Sequence, residues 1–109
     1  MASPVRWLEH DRNGNEIYLS QERWEHIIAP ENHPEMAVCE DQLRGTIRLG
    51  RRKQDVLNSQ KYVYTASFDD LAEDNTHIVA IVLVRFREDE LGQPVPNSYI
   101  VTAYQKEIG

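Results

Sequence analysis

The sequence has little of several residue types, and each shortage excludes a class of protein. Its 109 residues include a single cysteine, Cys39, which excludes an internal disulfide and a cysteine-rich metal site. Glycine-rich nucleotide-binding motifs, the His-Glu-x-x-His metalloprotease motif and the nucleophile elbow of serine hydrolases are also missing. Residues 1–5 lack the apolar core of a signal peptide, so we expect a cytoplasmic protein. The longest apolar run is too short to cross a bilayer, so no membrane partner is expected.

Positive charge is also scarce, because the net charge is −6 and the isoelectric point is about 5.1. This balance argues against a protein that coats nucleic acid through bulk electrostatics. The basic residues are nevertheless clustered, and one short segment contains Arg44, Arg48, Arg51, Arg52 and Lys53. This cluster has two interpretations, a solvated helix end whose cations complement the helix dipole or a site for an anion or RNA.

The one long apolar run, residues 76–87, is predicted to be the central strand of a sheet. All positions from Ile78 to Val84 are apolar, so both faces of a two-residue period are covered, as in a strand that is buried on both sides. β-branched residues dominate this run, and neither glycine nor proline interrupts it.

Two helices are predicted before this strand. The first, at residues 21–29, follows Ser20, a favourable N-cap residue. The second, at residues 34–49, begins with Pro34 in its first turn and ends at Gly50. Large apolar residues on the helices and the central strand are expected in the core: Trp24, Ile27, Leu43, Ile47, Ile81 and Leu83.

Shorter β-prone segments surround these elements. An Asn-Gly turn at residues 13–14 predicts an N-terminal hairpin, and further strands are expected at residues 61–68 and 98–104, with at most a short one at residues 54–58. Short loops between consecutive strands favour antiparallel pairing. We therefore predict a single α+β domain spanning residues 1–109, in which the N-terminal hairpin and two helices pack on one face of a four-stranded antiparallel sheet.

The four histidines are the main candidates for acid–base chemistry. His26 lies off the apolar stripe of the first predicted helix, one turn after Glu22, so it is either a general acid or base or half of a surface pair. His33 comes just before a predicted helix N-terminus, where backbone N–H groups can also bind a phosphate. His10 and His77 are expected to be an ordinary surface residue and the cap of a strand edge.

A series of short motifs runs in order along nearly the whole chain. They are Trp24-Glu25-His26-Ile27, His33-Pro34-Glu35, Asn58-Ser59, Tyr62-Val63-Tyr64 and Ile100-Val101-Thr102-Ala103-Tyr104. In their order and spacing they resemble the phage and bacterial nuclease-like domains of the barnase, EndoU, colicin and RelE superfamily. The resemblance implies an α+β fold with an N-terminal helix and a four-stranded antiparallel sheet, and cleavage of RNA without a metal or other cofactor.

The resemblance also implies an activity and a set of site residues. The activity is a toxin-like endoribonuclease in which a ribose 2′-hydroxyl attacks the adjacent phosphate, with RNA as substrate and an antitoxin or immunity protein as partner. The implied residues are His26, His33, Thr102 and Tyr104 as catalytic groups and, as alternatives for binding the phosphate, Arg44 and Arg85.

A non-catalytic interaction domain is the alternative function. Such a domain would retain the fold and bind a protein or RNA through a tyrosine-rich sheet face formed by Tyr62, Tyr64, Tyr99 and Tyr104. A homodimer that pairs through an exposed edge strand is a further alternative. Convergence of the histidines in one cleft with a basic wall would favour the nuclease, whereas exposed aromatic rings without that convergence would favour binding.

Overall fold

The computed structural model of the chain describes residues 3–108 and shows an α+β fold. The elements in chain order are β1 (Val5–His10), β2 (Glu16–Ser20), α1 (Gln21–Ile28), a 3-10 helix (Pro34–Val38), α2 (Glu40–Leu49), β3 (Arg51–Gln54), β4 (Lys61–Ser67), β5 (His77–Leu83), β6 (Phe86–Glu88), β7 (Pro94–Pro96) and β8 (Ser98–Lys106).

Six of these strands form one mixed sheet in the order β1-β2-β8-β5-β4-β3, and β6 pairs with β7 in a separate two-stranded sheet. β2 and β8 are parallel, with Ile17 opposite Ser98 and Tyr18 opposite Tyr99, while the other neighbouring strands described are antiparallel. The predicted four-stranded antiparallel sheet is therefore wrong. An isolated hairpin leaves its edge hydrogen bonds open to solvent and is marginal in stability, and pairing of β2 with β8 gives this hairpin a place in the sheet.

The first helix agrees with its predicted bounds, and the Ser20 hydroxyl accepts a 3.1 Å hydrogen bond from the Arg23 N–H as its N-cap. The second helix begins at Glu40 rather than at Pro34. The backbone of Cys39, with φ −121° and ψ 26°, separates the 3-10 helix from α2. Cys39 is buried and accepts a hydrogen bond from Gln105 Nε2 at 3.2 Å, which fixes this break against β8.

No helix within residues 3–108 is both long enough and apolar enough to cross a membrane.

The helices cover one face of the sheet, and the core lies between them. On β5 the side chains of Ile78, Ala80 and Val82 point to this covered face and are fully buried. The predicted core positions Trp24, Ile27, Leu43 and Ile47 are confirmed. The whole buried cluster consists of Trp7, Ile17, Leu19, Trp24, Ile27, Met36, Cys39, Leu43, Ile47, Tyr64, Ile78, Ala80, Val82, Ile100 and Ala103.

The opposite side of the sheet, called here the open face, receives the alternate residues of β5. Val79 is buried there, but Ile81 and Leu83 are only half-buried, so the prediction that both are core residues is wrong, and β5 is buried on both sides only near its beginning. Their apolar character has another physical cause. Ile81, for example, lies between Val63 on β4 and Thr102 on β8, and such cross-strand neighbours shield one another without a covering layer.

The structure contains two strands, β5 and β6, where a single strand is predicted over residues 76–87. β5 ends at Leu83, and β6 begins at Phe86 and pairs with β7 in the separate two-stranded sheet. Between them the Val84 N–H donates to the Gln60 carbonyl at 2.7 Å, and the Arg85 carbonyl accepts from the Asn97 N–H at 2.8 Å. These two bonds satisfy the backbone at the point where the chain leaves the sheet.

Candidate functional site

The open face presents three rows of side chains near the beginning of β5. Residues that lie opposite one another on neighbouring strands point to the same face and form a row. In order along β5, the rows are Ser67, His77 and Lys106, then Arg51, Thr65, Val79 and Tyr104, then Lys53, Val63, Ile81 and Thr102. One face thus combines an imidazole, three cations and several hydroxyl groups.

His33 contacts this face at the edge of β8. The centroids of the His33 and Tyr104 rings are 5.5 Å apart, and the ring planes are inclined by 33°. β2 pairs with β8 at Ser98 and Tyr99, and beyond them α1 and the 3-10 helix pack beside β8. Two residues that the sequence predicted for one site, from distant parts of the chain, are therefore in contact.

The loop that presents His33 is held by its own backbone. The His33 N–H donates to the Ile27 carbonyl at 2.8 Å, and Asn32 Nδ2 donates to the His26 carbonyl at the same distance. Glu35 Oε1 lies 3.6 Å from His33 Nδ1. Two hydrogen bonds therefore hold the loop that carries His33, and a carboxylate lies near its imidazole.

Thr102 belongs to the same surface. It is half-buried and precedes Tyr104 by two residues, so the two side chains share the open face about 6.7 Å apart along the strand. His33, Thr102 and Tyr104, three of the four predicted catalytic residues, are thus brought together.

The fourth, His26, has a different position. Its side chain is exposed on α1, and its described contact with the His33 loop is made by the backbone carbonyl. A role of the His26 imidazole in catalysis stays a prediction.

The two arginines predicted to bind a phosphate lie elsewhere. Arg44 Nε donates to Glu9 Oε2 at 2.6 Å, and the guanidinium lies over the Trp7 ring, 5.2 Å from its centroid, so Arg44 connects α2 to β1. Arg85 is exposed beyond the end of β5, about 20 Å along the strand from the residue opposite Tyr104. The structure does not bring either arginine to His33.

Sequence reasoning missed two residues of this surface, His77 and Lys106. They lie directly opposite each other on β5 and β8, and each is next to the row that contains Tyr104. Thr102, Tyr104 and Lys106 alternate along β8, so a two-residue period could have indicated that they share a face. The pairing with His77 depends on strand register, which the sequence does not specify. We call His33, His77, Thr102, Tyr104 and Lys106 the candidate site.

A second polar region, the arginine cleft, lies between the β1–β2 turn and the beginning of β3. It is about 400 Å³ in volume and is lined by Asp11, Arg12, Asn13, Gly50, Arg51, Arg52 and Tyr64. The Tyr64 hydroxyl donates to Asp11 Oδ2 at 2.6 Å and accepts from Arg52 Nε at 3.0 Å. The Arg52 guanidinium also stacks 3.7 Å above the centroid of the Tyr62 ring.

The charge of Asp11 is satisfied inside the protein. Oδ1 accepts from the N–H groups of Asn13 and Asn15, and Oδ2 accepts from Asn15 Nδ2 and the Tyr64 hydroxyl. Burial raises the pKa of Asp11, but these hydrogen bonds outweigh burial, and the pKa lies below its ordinary value of 3.8. Burial and the neighbouring Asp11 carboxylate raise the pKa of Tyr64, so this phenol stays a neutral donor.

A groove of about 660 Å³ joins the two regions. It is lined by Arg12, Leu49, Gly50, Arg51, Thr65, Ala66, Ser67, His77 and Ile108. It shares Arg12, Gly50 and Arg51 with the arginine cleft and reaches His77 of the candidate site. We call it the connecting groove.

The basic segment predicted to be either a helix end or an anion site is divided between two elements. Arg44 and Arg48 on α2 both pair with Glu9. Arg51, Arg52 and Lys53 form most of β3, which begins earlier than the short strand expected at residues 54–58.

The predicted tyrosine-rich face is also divided, and that prediction is wrong. Alternation along β4 directs Tyr62 and Tyr64 to the covered face, whereas Tyr99 and Tyr104 point to the open face.

Within residues 3–108, no three histidine, cysteine, aspartate or glutamate side chains come together as a metal site would require.

No family model matches this sequence, and comparisons with curated proteins and with solved structures return no significant match.

Proposed function

We propose that this chain is a metal-independent endoribonuclease that acts at the candidate site, as the motif resemblance to the barnase, EndoU, colicin and RelE superfamily suggests. The contact between the rings of His33 and Tyr104 is the observation that supports this proposal most strongly. The motifs that contain these residues are far apart in the chain. Their contact on the open face supports a shared role for the two motifs.

The proposed reaction is transfer of the phosphate within the RNA strand. A general base takes the proton of a ribose 2′-hydroxyl, and O2′ forms a bond to the adjacent phosphorus while the bond from phosphorus to O5′ breaks. A general acid gives a proton to the departing O5′. The products are a 2′,3′-cyclic phosphate and a free 5′-hydroxyl, so no water or metal is consumed.

His33 and His77 are the proposed acid–base pair. Tyr104 contacts His33, and its row on the sheet is next to that of His77. The Glu35 carboxylate faces His33 Nδ1, so we assign the proton of neutral His33 to Nδ1, which leaves Nε2 to accept the proton of the 2′-hydroxyl. His77 Nδ1 lies 2.6 Å from Thr76 Oγ1. As an imidazolium, His77 can donate its Nδ1–H to Thr76 Oγ1 and give its Nε2 proton to the leaving O5′.

Lys106 is the proposed cation for the phosphate, and Thr102 and Tyr104 are proposed to donate hydroxyl hydrogen bonds to its oxygens. Lys106 is exposed opposite His77 and replaces Arg44 and Arg85 in this role. A cation and hydroxyl donors at the point where negative charge develops stabilise the transition state. Side chains of the chain itself therefore provide the acid, the base and the cation.

The proposal also includes a cellular compartment and a binding partner. The cytoplasm, where RNA is abundant, is the proposed compartment, and an antitoxin or immunity protein that covers the open face is the proposed partner. A nuclease that damages the RNA of its own cell requires such restraint.

The test is cleavage of mixed RNA by the purified protein in EDTA. Wild type should leave 2′,3′-cyclic phosphate ends, and a substrate with a 2′-deoxyribose at the cleaved position should resist. His33→Ala and His77→Ala should each lower the rate at least about a hundredfold, the usual contribution of an acid or base. His10→Ala removes an exposed histidine at the end of β1 that lies outside the candidate site, and it should retain the wild-type rate.

Two outcomes would contradict the proposal. Failure of wild type to cleave several RNA classes between about pH 5 and 9, where histidine can serve as acid or base, would reject the nuclease. Cleavage that persists in both His33→Ala and His77→Ala would reject this site, and His26→Ala would then test the remaining predicted histidine.

A non-catalytic interaction domain is the second candidate, and the apolar part of the open face favours it. Ile81 and Leu83 are half-buried there, and the rings of Tyr18 and Tyr99 lie 5.9 Å apart beside them. Such a surface can bind a protein or stack RNA bases. RNA binding without cleavage, or a dimer that disappears in Ile81→Lys, would favour this candidate.

A further inference from the structure

We propose that the arginine cleft is a second phosphate subsite, which binds the RNA strand outside the cleaved phosphate and receives it along the connecting groove. This inference rests on the proposed endoribonuclease function. It assigns a role to Arg52 and Arg12, which the proposed reaction does not use.

Arg52 is held in a fixed orientation before any ligand binds. Its Nε donates to the Tyr64 hydroxyl at 3.0 Å, and its Cζ lies 3.7 Å from the centroid of the Tyr62 ring. The two Nη groups provide four further N–H donors in a rigid fork. An arginine that is already stacked and anchored loses little conformational entropy when it binds, and its fork matches two oxygens of a phosphate.

The charge of the cleft favours an anion. Three arginines, Arg12, Arg51 and Arg52, line it together with one carboxylate, Asp11. The Asp11 side chain is 3% exposed, accepts four hydrogen bonds and lies 3.8 Å from Arg52 Nε, so it offsets one of the three positive charges from inside the protein. Arg12 and Arg51 are exposed. An approaching ligand therefore meets a positive surface on a protein whose net charge is negative.

The connecting groove links the arginine cleft to the candidate site. It runs from His77, past Gly50 and Arg51, into the arginine cleft. A side chain at Gly50 would meet the carbonyls of Thr46 and Thr65, so the backbone itself forms the floor at this point. The distance from β8 to β3 spans three strand spacings, about 14 Å, which corresponds to roughly four nucleotides of a stacked strand. A phosphodiester of single-stranded RNA, continuous with the substrate at the candidate site, fits this path.

The experiment compares a short and a long substrate. A dinucleotide occupies the candidate site alone, whereas an octanucleotide also reaches the arginine cleft. Arg52→Gln should raise KM for the octanucleotide about tenfold, the cost of one charge-assisted contact, and leave dinucleotide cleavage unchanged. Arg12→Gln should act in the same direction with less risk to folding, because Arg12 is exposed. Arg87→Gln changes the net charge equally on the separate β6–β7 hairpin and should alter neither substrate.

A binding measurement separates this inference from the nuclease proposal. Fluorescence anisotropy with an all-deoxy octanucleotide, which cannot undergo 2′-hydroxyl attack, reports binding whether or not the protein cleaves. Arg52→Gln should lower the affinity and reduce the slope of log K against log salt by about 0.7, the value for one phosphate contact on a single strand. Thermal unfolding of each variant should confirm that it is folded.

The outcomes are distinct. If wild type cleaves both substrates but Arg52→Gln and Arg12→Gln match Arg87→Gln in KM and in affinity, the subsite is rejected while the nuclease stands. If wild type cleaves nothing, the nuclease fails, and the binding assay still decides. An affinity that falls in Arg52→Gln but not in Arg87→Gln then supports the cleft as a nucleic-acid site, and equal affinities reject it.

Discussion

The Tyr64 hydroxyl donates a 2.6 Å hydrogen bond to Asp11 Oδ2 and thereby joins the middle of β4 to the turn between β1 and β2. In the sheet, β2 and β4 are separated by β8 and β5. A direct contact between them requires the N-terminal hairpin to curl across α2 on the covered face. Glu9 and Glu40 support this curl, because Glu9 pairs with Arg44 and Arg48, and Glu40 pairs with Arg6 and accepts from Trp7 Nε1 at 2.9 Å.

Tyr64→Phe should lower the free energy of unfolding by about 1 to 3 kcal/mol, because it leaves a buried carboxylate with one donor fewer and releases Arg52 Nε. Chemical denaturation would measure the change. Tyr62→Phe, on the same strand, keeps the ring beneath Arg52 and should stay within about 0.5 kcal/mol of wild type. Equal effects of the two substitutions would show that the bond to Asp11 contributes nothing.

Stability should decrease in acid through Asp11 and Glu40. Hydrogen bonds lower the pKa of Asp11 in the folded protein despite the opposing effect of burial, and the hydrogen bond and ion pair with Arg6 lower the pKa of Glu40. A depressed pKa means that the unfolded chain binds protons first, so this stability is complete above the ordinary carboxyl pKa, near 4, and is lost as the pH falls below it. Urea unfolding between about pH 7 and 3 should show the loss, and Asp11→Asn should show a smaller pH dependence than wild type.

Leu43→Ala should lower the free energy of unfolding by about 2 to 5 kcal/mol. Leu43 is fully buried on the inner side of α2, and removal of its side chain leaves a cavity. Leu49→Ala is the matched control, since Leu49 is 63% exposed at the end of the same helix, and it should change stability by less than about 0.5 kcal/mol. A Leu43→Ala midpoint equal to wild type would contradict the packing of α2.

Cleavage of RNA should decrease steeply as salt is added, because a protein with a net charge of −6 must collect its substrate through a few local cations. The rate should also pass through a maximum with pH, as expected when one group acts as a base and another as an acid. Lys106→Gln should reduce both the rate and its salt dependence. Cleavage that is unaffected by salt would contradict binding at this face.

Local signals in the sequence predicted most of the elements but not their arrangement. Ser20 marks the N-cap of α1, and the Asn-Gly turn marks the first hairpin, with Gly14 at φ 81°. Both features depend only on residues that are close together in the chain, so they can be predicted from the sequence alone. The parallel pairing of Ile17 with Ser98 depends on contacts across the whole chain, and no local pattern indicates it.

Sequence motifs likewise predicted some residues of the candidate site but not their arrangement. Motif order identified His33, Thr102 and Tyr104, and the structure brings them together. His77 is expected from the sequence to cap a strand edge, because its proposed role depends on its position opposite Lys106, and that register is set by the pairing of β5 with β8. The sequence makes Arg44 a candidate for binding the phosphate. In the folded protein, however, Arg44 pairs with Glu9 on a strand that curls over α2.

The parallel pair β2–β8 has a kinetic consequence. Closing it joins Ile17 to Ser98, so the loop that it closes includes both α-helices and the five strands from β3 to β7. Contacts of such long range slow folding, because the entropy of loop closure is lost before the pairing is gained. During synthesis, the segment up to β5 can collapse on the ribosome, but Tyr104 meets His33 only after β8 has emerged. The site of the proposed nuclease would therefore stay incomplete until the last strand of this sheet has left the ribosome.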